Sequence, residues 1–161
     1  WSSDVCSSDL KRQVADRFSR IAMPSRMTSR PVACVVNSGA LALRVTPARC
    51  FLLEGARAVT SSDFITQADD PLLRVDACAG APFCASATVE TRALARQLAP
   101  LAKGSLHISG CAKGCARAGA ADITLTGRDG AFDLVRGGAA WDAASVPGLV
   151  PAQLSAVLGA L

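Results

Sequence analysis

The sequence predicts an α+β protein in which a strand–helix–strand unit follows a separate pair of short strands. Half of the 161 residues are apolar and 19% are charged, which is typical of a globular chain with room for one domain and an appendage. Between residues 72 and 109, compact apolar segments alternate with a segment of helical spacing. Two pairs of cysteines follow the two predicted strands of this unit. These observations favour a small sheet that carries its functional groups on the loops after its strands.

The first 39 residues are predicted to precede the main fold. Residues 1–10 read WSSDVCSSDL, which resembles the translation of a sequencing-library adapter. This segment, with Cys6, is therefore expected to be foreign and structureless. Residues 11–39 are expected to form a basic linker or helix, because apolar side chains recur at helical spacing over residues 11–22.

Residues 40–70 are predicted to form a pair of strands. The stretches LALRVT, at 41–46, and FLLE, at 51–54, are short and apolar, and they are joined through Pro47. Residues 56–71 are expected to be mostly loop.

Residues 71–161 form the second predicted domain, and its clearest part is a βαβ unit. Residues 72–77 and 106–109 are predicted strands, and residues 86–98 between them have apolar side chains on one helical face. The crossover should be right-handed, which makes the two strands parallel. The loops that follow the strands are then expected to meet at one edge of the sheet, where open α/β sheets bind ligands.

The remaining residues predict a hairpin and a closing helix. Segments 122–126 and 132–136 read as strands that turn at residues 128–130. A loop through Trp141 follows, and a short helix is expected from Pro151, since proline suits the first position of a helix. Trp141 and the C-terminal leucines are expected to make core contacts.

The two cysteine pairs carry the strongest functional signal. Cys78 and Cys84 form C-x5-C in CAGAPFC, and Cys111 and Cys115 form C-x3-C in CAKGC. Thiolates are the usual ligands of iron–sulfur clusters, and the small neighbours let backbone N–H groups approach the sulfurs. A helical turn in CAKGC would place both of its sulfurs on one side. Structural zinc and unrelated buried thiols stay alternatives. The ligand pairs of zinc, however, usually have two to four intervening residues, which fits C-x5-C poorly. No export signal supports a disulfide framework.

The net charge of +4 comes from one segment rather than from the body of the chain. Its basic residues lie within twenty positions: Lys11, Arg12, Arg17, Arg20, Arg26 and Arg30. Without interleaved aromatic residues, such a stretch favours a solvated segment over a nucleic-acid site. No apolar run is long enough to span a bilayer, so no membrane segment is expected. Seven cysteines without an export signal favour a reducing, cytoplasmic compartment.

Longer stretches around the cysteines carry a resemblance to a known family. The pattern C-x5-C followed by C-x3-C is the cluster signature of the nitrite and sulfite reductase superfamily. DACAGAPFCASATVETRALA, LHISGCAKGCA and DLVRGG are similar to the precorrin-3B synthase family within it. RVTPARCFLLEG and FITQADDPLLRV resemble the ferredoxin-like strand pair that precedes the family's cluster domain. The resemblance covers roughly residues 40–138. It implies a nitrite/sulfite reductase-like cluster domain with a ferredoxin-like remnant, together the carboxyl-terminal half of a duplicated parent.

This resemblance implies an oxygen-dependent oxidoreductase of aerobic cobalamin biosynthesis that converts precorrin-3A to precorrin-3B. Cys78, Cys84, Cys111 and Cys115 would ligate a 4Fe-4S cluster. Cys115 would also bridge to a second iron centre, which is non-haem iron in the synthases and siroheme in the reductases. The implied partners are the precorrin macrocycle, an external electron donor and the missing amino-terminal half. Since the active cleft lies between the two halves, the anion-binding side chains of this fragment are expected to be incomplete, and its own activity is in doubt.

Two other functions stay open. The first is a fragment of a siroheme-dependent sulfite or nitrite reductase, and the second is a zinc-stabilised interaction domain. CAKGC followed by alanine, in place of the Pro-Asn that is usual in the reductases, favours the synthase over the first alternative.

Several further side chains are candidates for secondary roles, although no catalytic residue emerges. Lys113, Arg117 and Arg49 are candidates for binding substrate carboxylates. Arg49 is the weaker candidate because Thr46-Pro47-Ala48 precedes it where the family commonly has tryptophan. His107 is expected to be packed structurally, with a hydrogen-bond donor to the cluster or substrate as the alternative. The cysteines outside the pattern are expected to be ordinary small residues: Cys34 and Cys50.

Overall fold

The computed structural model describes residues 18–22, 38–46, 50–56, 59 and 64–161, of which residues 18–22 and Cys50 are described through their backbone alone. The predictions made for residues 1–10, for Cys34 and for Arg49 lie outside these residues. The chain divides into two compact units, Trp1–Asp70 and Pro71–Leu161.

The first unit contains a three-stranded antiparallel sheet. Its strands are β1 (Phe18–Ala22), β2 (Ala42–Val45) and β3 (Cys50–Glu54), and β3 lies between the other two. The predicted pairing of the segments around 41–46 and 51–54 is therefore confirmed, with Ala42 opposite Glu54. A small core forms around Phe51 and Phe64, whose ring centroids lie 6.1 Å apart in an edge-on arrangement.

The helix predicted over residues 11–22 is wrong where the structure describes it. Residues 18–22 form β1, and every residue of β1 pairs with one of β3. A helix of about a dozen residues is marginal without tertiary support. A ladder of backbone hydrogen bonds to a neighbouring strand therefore outweighs the weak helical periodicity.

The second unit is built on a mixed five-stranded sheet. In chain order its strands are β4 (Val75–Ala77), β5 (Leu106–Ser109), β6 (Ala121–Arg128), β7 (Ala131–Gly138) and β8 (Val146–Leu149), and their order in the sheet is the same. Strands β4, β5 and β6 are parallel, whereas β7 and β8 are antiparallel to their neighbours. The predicted parallel pair of the βαβ unit is confirmed.

Two helices cover one face of this sheet. Helix α1 (Arg92–Leu98) lies between β4 and β5 in the chain, and α2 (Pro151–Gly159) closes the unit. The start of α2 at Pro151 is as predicted. The face beneath them is apolar, and its fully buried residues belong to strands and helices alike: Leu98, Leu106, Ile108, Leu125, Phe132, Leu134 and Leu154.

Three elements differ from the sequence-based expectation. The first predicted strand is only three residues long, because Pro71–Arg74 forms a 3-10 turn before it. Helix α1 begins at Arg92 rather than at residue 86, since the preceding backbone bonds to the cysteine-bearing loops instead. Strand β8 was expected to be loop. It is an edge strand, which can accommodate Pro147 because its outer side has no partner strand to bond.

The opposite face of the sheet is polar but buried. His107 and Ser109 alternate with the core residues of β5, and Thr124 and Thr126 are their buried neighbours on β6. The Thr124 hydroxyl donates to the Gly138 carbonyl at 2.7 Å, and the Thr126 hydroxyl donates to the Ala140 carbonyl at 3.1 Å. The chain that follows β7 therefore crosses this face.

The predicted hairpin is confirmed by the pairing of β6 with β7, which turns through Asp129 and Gly130 at φ of 50° and 83°. The buried Leu154 and Leu158 confirm the expected core role of the C-terminal leucines. The same expectation is wrong for Trp141, which is 55% exposed. No helix in the described part of the chain is both long and apolar enough to cross a membrane.

Candidate functional site

The four cysteines lie on two loops that leave the sheet at the same edge. Cys78 directly follows β4, and only Gly110 separates Cys111 from the end of β5. Because β4 and β5 are neighbouring parallel strands, their carboxyl ends lie together. Residues 78–91 are named here the first cysteine loop, and residues 110–120 the second cysteine loop.

Backbone contacts hold the two loops side by side. The Gly110 N–H donates to Cys78 Sγ at 3.1 Å, and the Thr88 N–H donates to the Gly110 carbonyl at 3.4 Å. A Cβ atom on Gly110 would lie 2.6 Å from the Cβ of Ala87, so a larger residue would push the loops apart. An N–H donor to a ligand sulfur is one of the contacts that tune the potential of a cluster. The two loops are therefore in direct contact next to Cys78.

The first cysteine loop is folded against Thr91. The fully buried Thr91 hydroxyl donates to the Cys78 carbonyl at 2.8 Å. Gly80 has a φ of 65°, and a Cβ there would lie 2.6 Å from Thr91 Oγ1. The Cys84 N–H then donates to the Gly80 carbonyl at 2.9 Å. The backbone is thus fixed at both cysteines of the pair.

The second cysteine loop is held by a different set of contacts. The Ser109 hydroxyl donates to the Cys111 carbonyl at 2.6 Å, and the Arg117 N–H donates to the Gly114 carbonyl at 3.1 Å. The helical turn expected between Cys111 and Cys115 is wrong, because the intervening Gly114 has a left-handed φ of 63°.

Two side-chain bridges also hold the second cysteine loop, one to the first cysteine loop and one to β4. Lys113 Nζ donates to Ser86 Oγ at 2.9 Å on the exposed side. Arg117 Nη1 lies 3.1 Å from Asp76 Oδ2, and its Nε donates to the carbonyl of Ala120 at 2.7 Å. Two of the three cations that the sequence analysis proposed for substrate binding, Lys113 and Arg117, therefore already bond within the protein. Arg117 is the more committed, since two of its nitrogens are engaged.

His107 lies beneath this edge with its side chain fully buried. Its register neighbours are Asp76 on β4 and Thr124 on β6. Neither ring nitrogen has a hydrogen-bond partner among the described residues. Burial lowers the pKa of His107; the carboxylate of Asp76 opposes this shift and the charge of Arg117 adds to it. The imidazole is therefore packed, as expected, and held in its neutral form.

The metal-binding role of the four cysteines stays a prediction. All four thiols are free, and Cys115 is exposed whereas the other three are partly buried. Within the described residues, no group of three or more His, Cys, Asp or Glu side chains is positioned to hold a metal ion. The donor set nevertheless fits an iron–sulfur cluster chemically, because it consists of thiols on adjoining loops with a backbone N–H directed at one sulfur.

Three residues that contact the cysteine loops could not be assigned to this site from the sequence. Thr91 and Asp76 bind the cysteine loops, and Trp141 lies against Gly114 although it is distant in sequence. The alternation of β4 could have singled out Asp76 as a polar residue just before Cys78. No pattern in the sequence links Trp141 to the CAKGC motif.

Comparison with known proteins gives two similarities. The chain is 40% identical over 117 residues to a precorrin-3B synthase from Sinorhizobium sp., and this match covers 63% of the chain and 26% of the relative. The resemblance inferred from the motifs is thereby confirmed, and the chain spans about a quarter of the length of this relative. No protein-family model matches.

The structural similarity supports the same fold. The NirA protein of Mycobacterium tuberculosis matches with a TM-score of 0.57 at 19% identity, over 87% of the chain and 33% of NirA. The predicted α+β fold of the nitrite/sulfite reductase type is confirmed.

Proposed function

We propose that this chain is the cluster-bearing part of an iron–sulfur oxidoreductase of cobalamin biosynthesis, which converts precorrin-3A to precorrin-3B. The observation that carries the proposal is the contact between the two cysteine loops, in which the Gly110 N–H meets Cys78 Sγ at 3.1 Å. It joins two cysteine pairs that are distant in sequence, in a chain 40% identical to a precorrin-3B synthase.

In this proposal the four cysteines of the two loops would hold a 4Fe-4S cluster, and Cys115 would also serve a second iron centre, a non-haem iron. A bound cluster supplies one-electron transfer. The residues of the chain prepare its site. The Gly110 N–H stabilises negative charge on Cys78 Sγ, and Thr91 fixes the backbone at Cys78. The Asp76–Arg117 pair and the Lys113–Ser86 bond keep the loops together.

The proposed substrate is a macrocycle that carries many carboxylates. Lys113 is exposed and bonds only to a serine hydroxyl among the contacts described for it, so its charge can attract such a substrate. Arg117 acts instead in holding the loop. In the overall reaction, one atom of dioxygen enters the macrocycle at a meso carbon and the other leaves as water. Two electrons and two protons come from an external donor, and a ring acetate closes a lactone.

The rest of the active site is assigned to sequence outside this chain. Because the chain spans about a quarter of its curated relative, we propose that an amino-terminal half completes the cleft and binds most substrate carboxylates. The chain alone is then expected to load a cluster but not to turn over substrate.

Anaerobic reconstitution with iron and sulfide tests the cluster. The wild-type chain should bind iron and acid-labile sulfide in equal amounts and develop a broad brown absorption. Cys115→Ser should lose most of this iron, because a serine hydroxyl is a poor ligand for the cluster. Cys34→Ser is the matched control, since Cys34 lies outside the motif and should not change the iron content.

The same experiment separates the alternatives. Additional Soret-type bands after expression with siroheme would favour a sulfite or nitrite reductase fragment, which the NirA-like fold also permits. Colourless stoichiometric zinc would favour an interaction domain. Wild-type iron content in Cys115→Ser, or wild-type turnover when that change is made in the full-length protein, would contradict the proposed ligand set.

A further inference from the structure

The turn that follows β7 is rigidly attached to the sheet. The Asp142 carboxylate accepts a hydrogen bond from the Ala139 N–H at 2.8 Å, and the Asp142 N–H donates to the Ala139 carbonyl at 3.2 Å. The Thr126 hydroxyl anchors the middle of the turn by donating to the Ala140 carbonyl. Ala139 and Ala140 are both buried. The backbone on either side of Trp141 is thus fixed by contacts that do not involve its ring.

The ring of Trp141 lies on the second cysteine loop. Its Cζ3 and Cε3 atoms are 2.9 and 3.4 Å from the position that a Cβ on Gly114 would take. Gly114 is buried and left-handed, and it directly precedes Cys115. The ring therefore packs on the one residue whose conformation reverses the chain between Cys111 and Cys115.

The exposure of Trp141 argues against an ordinary core role. The side chain of Trp141 is 55% exposed, whereas the two residues before it, Ala139 and Ala140, are buried. A large aromatic side chain that stays half in water on a rigid turn contributes through the surface that it covers. The residue that it covers here is Gly114 of the CAKGC loop.

We propose that Trp141 is a positioning residue of the cysteine site, which covers Gly114 and holds it in its left-handed conformation, and thereby fixes the path of the chain between Cys111 and Cys115. The inference rests on the proposed ligand role of this loop. It adds a residue on the turn after β7 to the surroundings of the site. An apolar cover limits the access of water to a cluster and thereby affects the lifetime and the potential of the cluster.

Site-resolved alkylation of the metal-free, reduced chain tests the proposal without a cluster. Trypsin separates Cys111 from Cys115, because Lys113 lies between them, whereas Cys78 and Cys84 stay on one peptide. Trp141→Ala should raise the iodoacetamide rate at the partly buried Cys111 by on the order of ten-fold, the change in loop opening that about 1.4 kcal/mol of lost contact produces, whereas the already exposed Cys115 should change less. The peptide with Cys78 and Cys84 should change little, and Trp141→Phe should restore most of the protection.

A reciprocal measurement uses tryptophan fluorescence. With Trp1→Phe as background, Trp141 is the single tryptophan of the chain. Gly114→Ala should then shift its emission to longer wavelength, since the new Cβ displaces the ring. Gly130→Ala is the matched control, because Gly130 also has a left-handed φ, of 83°, but no atom lies within 4 Å of a Cβ there.

Two results would overturn the proposal. One is an alkylation rate at Cys111 that Trp141→Ala leaves unchanged. The other is an equal acceleration at all four cysteines with a lower urea midpoint, which would make Trp141 a general stabilising residue. A chain that passes these tests but loads no iron would refute the proposed function alone, since neither measurement involves metal.

Discussion

Replacing Thr91 by valine should release the first cysteine loop without disturbing the packing around it. Thr91 occupies the position before α1 where a threonine oxygen usually accepts a hydrogen bond from the first turn of the helix. Here its side chain makes no such bond, and its hydroxyl donates to the Cys78 carbonyl at 2.8 Å. Thr91 therefore does not cap α1 with its side chain, and its hydroxyl instead fixes the backbone of Cys78.

The expected magnitude follows from the burial of this bond. Valine has the shape of threonine, so Thr91→Val removes the donor and leaves the Cys78 carbonyl without it. The loss of one partner in a buried hydrogen bond costs about 1–3 kcal/mol of unfolding free energy. Thr91→Ser keeps the hydroxyl and removes a methyl group, which costs about 1 kcal/mol. With an m-value of about 1–3 kcal/mol/M in urea, the valine variant should unfold about 1 M earlier than wild type.

The assay combines urea unfolding with alkylation of the peptide that carries Cys78 and Cys84. We expect Thr91→Val to lower the midpoint and to raise the alkylation rate, while Thr91→Ser lowers the midpoint less and leaves the rate near that of wild type. If the valine variant is no less stable than the serine variant, and its thiols react no faster, then the hydroxyl does not hold the loop.

Two further changes address the junction of the loops and the buried histidine. Gly110→Ala places a Cβ 2.6 Å from the Cβ of Ala87 and should therefore reduce the amount of reconstituted iron per chain. Gly119→Ala should leave the iron content at the wild-type level, because no atom lies within 4 Å of a Cβ there. Equal iron content in both variants would contradict the close approach of the loops. The folded chain keeps His107 neutral, and its lowered pKa means that the unfolded chain binds a proton first as the pH falls below about 6.5. The free energy of unfolding should accordingly decrease below that pH by up to about 1.4 kcal/mol per pH unit. His107→Gln should make this decrease shallower between pH 7.5 and 5.5. Identical pH profiles of the urea midpoint in the variant and the wild type would show that His107 is not the titrating group.

The parallel strands and the hairpin could be predicted from sequence because their signals are local. Residues 106–109 alternate between apolar and polar side chains, which is typical of a strand, and Asp129-Gly130 suits a tight hairpin whose two central residues need a positive φ. The start of α1 could not be predicted in this way. Residues 86–91 have helical spacing, but the backbone of Thr88 bonds to Gly110 and that of Ala81 to Val89. Long-range contacts of the cysteine loops override the local pattern.

The candidate site shows the same division. The cysteines are recognisable because their spacing is itself a chemical requirement, whereas the residues that fix them act through contacts between distant segments. Asp76 and Arg117 are 41 positions apart, and only the pairing of the strands brings them within 3.1 Å. Trp141 illustrates the limit most clearly. Its apolar character indicated a core residue, and only the path of the chain across the polar face places its ring on Gly114.

The two faces of the second sheet separate the stability of the unit from the chemistry of its loops. The apolar face is covered by α1 and α2, so burial of its leucines can stabilise the fold whether or not the cysteine loops hold metal. On the polar face, the hydroxyl of Ser109 donates to Cys111 and that of Thr126 to the turn that carries Trp141. These buried bonds attach the second cysteine loop and the turn with Trp141 to the strands of the sheet. A change on the polar face should therefore alter the reactivity of the thiols before it unfolds the domain.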